Sequence, residues 1–114
     1  MKKRLISSYD KTNDIFVGKV DGEKGYCADY GISDEIFIGV DNLHIPTSIF
    51  ISNASEVFNI PKQNLESSNV KISINCDEFF LYFNLCIENL KIFSTKCPNN
   101  FNIPNMNFLI DSNY

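Results

Sequence analysis

From Ser33 to Ile60 the chain reads SDEIFIGVDNLHIPTSIFISNASEVFNI. Apolar and polar residues alternate in two runs, a turn separates the runs, and Asn53-Ala54-Ser55-Glu56 follows the second. A period of two places successive side chains on opposite faces of extended backbone. Ile36, Ile38 and Val40 therefore share one face, with Glu35, Phe37, Gly39 and Asp41 on the other. Ile49 and Ile51 turn inward from the second run, Ser48 to Asn53, across a turn over Asn42 to Pro46. Asn53 or Ser52 can cap a helix, and Glu56 stands three residues beyond Asn53, the reciprocal place of a capping box. Val57, Phe58 and Ile60 give that short helix an apolar side. Pro61 ends it or begins a second turn through Leu65.

The same period recurs on both sides of this stretch. A polar turn over Tyr9 to Asp14 opens a strand from Ile15 to Val20. Asp21-Gly22 then signals a hairpin, because glycine tolerates the positive φ of such turns. The returning antiparallel strand is expected near Tyr26 to Ile32. Further on, Val70, Ile72, Ile74 and Cys76 alternate with Lys71, Ser73 and Asn75. Asp77-Glu78 connects to the run Phe79 to Ile87, apolar on both faces and so expected to be central and covered on each side. Glu88-Asn89 leads into Leu90 to Thr95, completing a three-stranded meander over 70–95. The Asn- and Pro-rich tail from Cys97 to Asn105 reads as loop, and Met106 to Ile110 as a candidate edge strand. The expected fold is mainly β (α+β): antiparallel hairpins and the C-terminal meander, with one short helix near residues 54–60, in a single domain over 1–114.

A hydrophobic fraction of 44% in 114 residues supports a packed core without metal or disulfide staples. The formal net charge is -4, and no Lys or Arg occurs between Gly25 and Pro61. Asp29, Asp34, Glu35 and Asp41 fall in that interval and make a candidate acidic binding face. Phosphate-tracking nucleic-acid binding needs a basic stripe, so direct nucleic-acid binding is not expected. Lys2-Lys3-Arg4 is followed by Ser7, Ser8, Asp10 and Lys11 rather than an apolar run, and no segment reaches bilayer-spanning length. The expectation is a cytoplasmic protein, no membrane association, and free thiols at Cys27, Cys76, Cys86 and Cys97.

Tyr9-Asp10, Asp14, Asp21-Gly22, Gly31-Ile32, Asp41 and Asn53-Ala54-Ser55 together resemble the pattern of a small bacterial and phage family, domain-of-unknown-function family 2283. The resemblance covers residues 9–60. Leu43-His44-Ile45-Pro46 departs from the family's Asp/Gly-rich loop, and the segment after Leu65 lies outside the family's core. The resemblance implies a fold and a prokaryotic or phage setting, with no catalytic residue to carry over.

Catalytic chemistry finds little support in these residue types. His44 is the single histidine and sits in a turn, with no Gly-x-Ser-x-Gly motif anywhere. The four cysteines lack the close Cys-x-x-Cys pairs that pre-position thiolates for zinc, so no metal and no cofactor is expected. Asp34 and Glu35 are adjacent and point to opposite faces of a strand, so they do not form an acid/base pair. Asp10 and Asp14 flank a turn and can meet around a cation, although turn-forming accounts for both. The leading expectation is a non-enzymatic protein-binding module using a β-sheet face or edge, against another protein or its own copy. The alternatives are a small acidic phage-encoded inhibitor of a nucleic-acid-handling defence enzyme, and a small-molecule binder or enzyme of unrecognised type in which polar groups such as His44, Asp41 and Tyr82 converge in a pocket.

Overall fold

The computed structural model describes residues 2–66, 69–88, 90–99 and 106–111. They form nine strands and two short helices in the order β1 (Lys2–Asp10), β2 (Ile15–Val20), β3 (Ala28–Gly31), β4 (Ile36–Val40), β5 (Pro46–Ile51), α1 (Ala54–Phe58), α2 (Lys62–Leu65), β6 (Val70–Cys76), β7 (Phe80–Ile87), β8 (Leu90–Pro98) and β9 (Met106–Asp111). The fold is β-rich α+β. One mixed sheet runs β3-β4-β5-β2-β1-β9-β6-β7-β8.

β1 joins the two halves of that sheet. Its residues Leu5–Asp10 pair antiparallel with β2, while Lys2–Arg4 pair in parallel with Leu109–Asp111 of β9. The sheet curls about this strand so that its inner faces meet. Leu5, Val20, Ile38 and Ile49 from one half and Ile72, Ile74 and Ile110 from the other line an interior cavity of about 10 Å³. That volume is close to the room one water needs, too small for a ligand. The buried set follows the period of two in the sequence: Ile36, Ile38, Ile51, Val70, Ile72, Ile74, Leu81, Phe83 and Leu85 all lie in the core. α1 closes one end with Ala54 and Phe58 buried, and the Phe58 ring meets the edge of Phe16 at 5.8 Å. No helix of the described residues is long and apolar enough to cross a membrane.

Several expectations are corrected. The hairpin at Asp21-Gly22 does not form between β2 and β3. Both edges of β2 are already occupied, by β1 and β5, and β3 pairs with β4 instead. Gly22 and Gly25, both at positive φ, carry the loop away from β2. β1 itself gives almost no period-two signal, because only Leu5 on it is buried. The segment Met106 to Ile110 is indeed extended, but β9 is internal: it lies between β1 and β6 and contributes Ile110 to the core. The last meander strand continues through Pro98, so Cys97 is strand and not loop, and residues 100–105 of the expected loop lie outside the described residues. β7 is central in its half, yet only one of its faces is buried; Phe80, Tyr82, Asn84 and Cys86 are half-buried. Strand 48–53 begins earlier, at Pro46, after a register shift beside Gly39 and Val40.

Candidate functional site

Tyr9, Asp14 and Ser55 meet in space. Asp14, buried at the start of β2, accepts hydrogen bonds from the Tyr9 hydroxyl (2.6 Å), the Ser55 hydroxyl (2.6 Å) and the Ser55 backbone N–H (2.9 Å). Its carbonyl also receives the Ala54 N–H at 3.0 Å. The first turn of α1 is thus capped from 41 residues away, by a carboxylate rather than by its own preceding residue. The expected capping box does not form. Asn53 adopts a left-handed conformation and makes no side-chain cap bond; its amide instead donates to Glu35 at 3.0 Å.

Burial works against the charged form of Asp14, but the hydrogen bonds from Ser55 and Tyr9 outweigh it and hold its pKa below the ordinary value. Burial, reinforced by Asp14, pushes the Tyr9 hydroxyl up to about 12. This cluster ties α1 to the sheet. Asp10 is engaged separately, accepting from the Asn13 side chain at 2.8 Å, and does not share a site with Asp14.

The four expected acidic residues divide between the ends of the β3–β4 hairpin. Asp41 is buried in the β4–β5 turn, where its carboxylate accepts the Leu43 and Ile45 N–H groups at 2.8 and 3.0 Å. At the opposite end Glu35 accepts from Ser52 and Asn53, and Asp34 is exposed in the turn. Asp29 is exposed on β3 and accepts from the Tyr26 hydroxyl at 3.0 Å. Asp41 therefore holds its own loop, and Glu35 ties the β3–β4 turn to the segment between β5 and α1.

His44, half-buried at φ 63, shares a hydrogen bond with the buried Tyr30 hydroxyl and stacks on its ring. Burial raises the Tyr30 pKa. His44 and Asp41 lie in the β4–β5 turn, whereas Tyr82 stands on β7 in the other half of the sheet, directly opposite Asn75 and Lys96.

All four cysteines are free thiols. Cys76 and Cys97 flank Leu81 in one cross-strand row, and burial pushes the Cys76 thiol up to about 11. Among the described residues no group of three or more His, Cys, Asp or Glu is placed to hold a metal ion.

The outer face of β3-β4-β5-β2-β1 carries a feature that alternation alone did not disclose. Register places Gly31, Phe37, Phe50, Val17 and Ser8 in one row across the five strands. Phe37, Phe50 and Val17 are adjacent in it and remain 37%, 41% and 40% exposed. The next row reads Asp29, Gly39, Ser48, Lys19 and Ile6, and Ile6 is exposed too. A cleft of about 430 Å³ lined by Lys19, Glu23, Lys24, Gly25, Tyr26, Thr47 and Ser48 adjoins this second row. The sequence signal was present in the outward places of the strands, where Phe and Val stood instead of polar residues. Only the register shows that they align.

No family model, no curated protein and no solved structure matches this chain.

Proposed function

We propose that this protein is a non-enzymatic protein-binding module that works through the outer face of β4, β5 and β2. One observation carries the reading: the aligned, exposed row Phe37–Phe50–Val17. Isolated surface apolar residues are ordinary, whereas the largest contiguous apolar patch on a protein is often a functional surface. Exposed aromatic side chains also supply contact area at low entropic cost, which favours them at interfaces.

The sheet edges are less suited to the role. β3 offers only four residues. β8 is longer but carries Pro98, and Lys96 folds over the Phe80 ring at 3.8 Å. Lysine and proline are common guards of an exposed strand edge. The face is therefore the better docking surface.

The test compares the wild-type chain with Phe50→Ser and with Phe37→Ser/Phe50→Ser in affinity capture and light scattering. A partner, foreign or identical, that is held by the wild type and released by both variants is the expected result. Equal binding by all three chains, or binding by none, removes the reading.

A further inference from the structure

We propose that the occupant of this face is a second copy of the same chain, packed sheet on sheet about a two-fold axis parallel to β5. The inference rests on the reading of the face as a docking surface and adds its partner.

The apolar row is nearly symmetric about β5. Phe50 is central, with Phe37 on β4 to one side and Val17 on β2 to the other. A two-fold along β5 lays Phe50 on its own copy and Phe37 on the partner copy's β2. An isologous contact requires that kind of self-complementarity.

The charges are arranged the same way. Asp29 and Glu35 lie on the β3–β4 flank, and Lys19 on the β2 flank. The same axis brings the Lys19 ammonium over Gly39 in the facing sheet. Gly39 has no side chain; the Ser48 hydroxyl lies nearest to where its β-carbon would stand, and the Asp29 carboxylate is 3.4 Å from the same point. Asp29 and Lys19 thus meet twice across the interface. Asp10, on the lysine side, is held by Asn13, and neither Lys19 nor Asp29 has an ion-pair partner among the described residues.

A curled sheet presents its middle strands foremost, so the contact is narrow. Interfaces below about 1,200 Å² in total are generally weak and transient. The expected dimer is reversible, with a dissociation constant on the order of micromolar to tens of micromolar, and it weakens with salt.

Sedimentation velocity of the full chain, from about 1 to 500 µM at low salt, tests the proposal within that affinity range. The wild type should pass from monomer to dimer across this series. Lys19→Glu and Asp29→Lys, each alone, should weaken association at least tenfold with unchanged melting temperature. An equimolar mixture of the two should re-associate, because every cross-interface pair then joins a carboxylate to an ammonium again. Phe50→Ser should stay monomeric.

A wild type that is monomeric throughout, or a mixture that fails to re-associate, overturns the self-partner. If the wild type is monomeric yet captures a different protein in a Phe50-dependent way, the second copy is wrong and the binding-module reading survives. If no Phe50-dependent binding of any kind is found, both fall.

Discussion

On β6, β7 and β8 the outward row Ser73, Asn84 and Ser94 is polar throughout, and Ser94 donates to Asn84 at 2.8 Å. On β4, β5 and β2 a corresponding outward row holds Phe37, Phe50 and Val17. The inner faces of the two halves are alike, packed with Ile, Leu, Val and Phe. These two outward rows are opposite in character. Inner packing is needed for the fold, whereas an outer row this exposed contributes only the smaller energy of cross-strand pairs. Its presence in the β4-β5-β2 half is the ground on which we propose that face as the docking surface.

The halves are also held differently. The meander β6-β7-β8 joins strands adjacent in the chain. The other half depends on long-range polar ties, with Asp14 reaching Ser55 and Glu35 reaching Ser52.

The sharpest way to break this contrast is to make similar deletions on the inside and outside. Phe83, fully buried and edge-on to Phe93 at 6.2 Å, belongs to the common core. Phe83→Ala should cost about 3–5 kcal/mol in urea unfolding. Next in size is Asp14→Ala, which leaves donors from Tyr9 and Ser55 without their acceptor; a loss of about 2–3 kcal/mol is expected from the same measurement.

Asp14 also predicts a pH dependence. Its folded pKa lies below the ordinary carboxylate value, so its contribution is complete above the unfolded pKa of about 3.9 and drains away as pH falls through that value toward the folded one. Acid titration of stability should show this decline in the wild type and a shallower one in Asp14→Asn. Identical acid profiles would show that the cluster does not hold the carboxylate charged.

Phe50→Ser should change stability by less than about 1 kcal/mol while abolishing binding, the reverse of Phe83→Ala. The smallest effect belongs to the polar face, where Ser94→Ala should alter unfolding by no more than about 0.5 kcal/mol and leave binding unchanged. If Ser94→Ala and Phe50→Ser were equally silent in binding, the difference between the two faces would carry no functional meaning.

Much of the inner architecture was legible before any coordinates. Ile36, Ile38, Val40, Ile49 and Ile51 turn inward as their spacing demands, and so do Val70, Ile72, Ile74 and Cys76. The helix at Ala54–Phe58 stands where Asn53-Ala54-Ser55-Glu56 placed it. Less of the site could be read. The acidic segment does not form one surface: Asp41 bonds donors of its own turn, as short-range hydrogen bonding favours for Asp, and Glu35 bonds Ser52 and Asn53 beyond β5. Phe37 and Phe50 were visible as outward residues, yet nothing local sets β4 beside β5 with those two in register.

Local chemistry determined which segments are extended and which side of each strand faces inward, because period-two burial is a property of a single strand. Pairing was decided only in the folded chain. β2 has two edges, and β1 and β5 took both, which displaced β3; β9 entered the centre by bonding β1 in parallel. Such choices depend on which distant backbone donors and acceptors, and which apolar faces, are satisfied together. The capping of α1 by Asp14 and the alignment of Phe37, Phe50 and Val17 follow from that long-range choice.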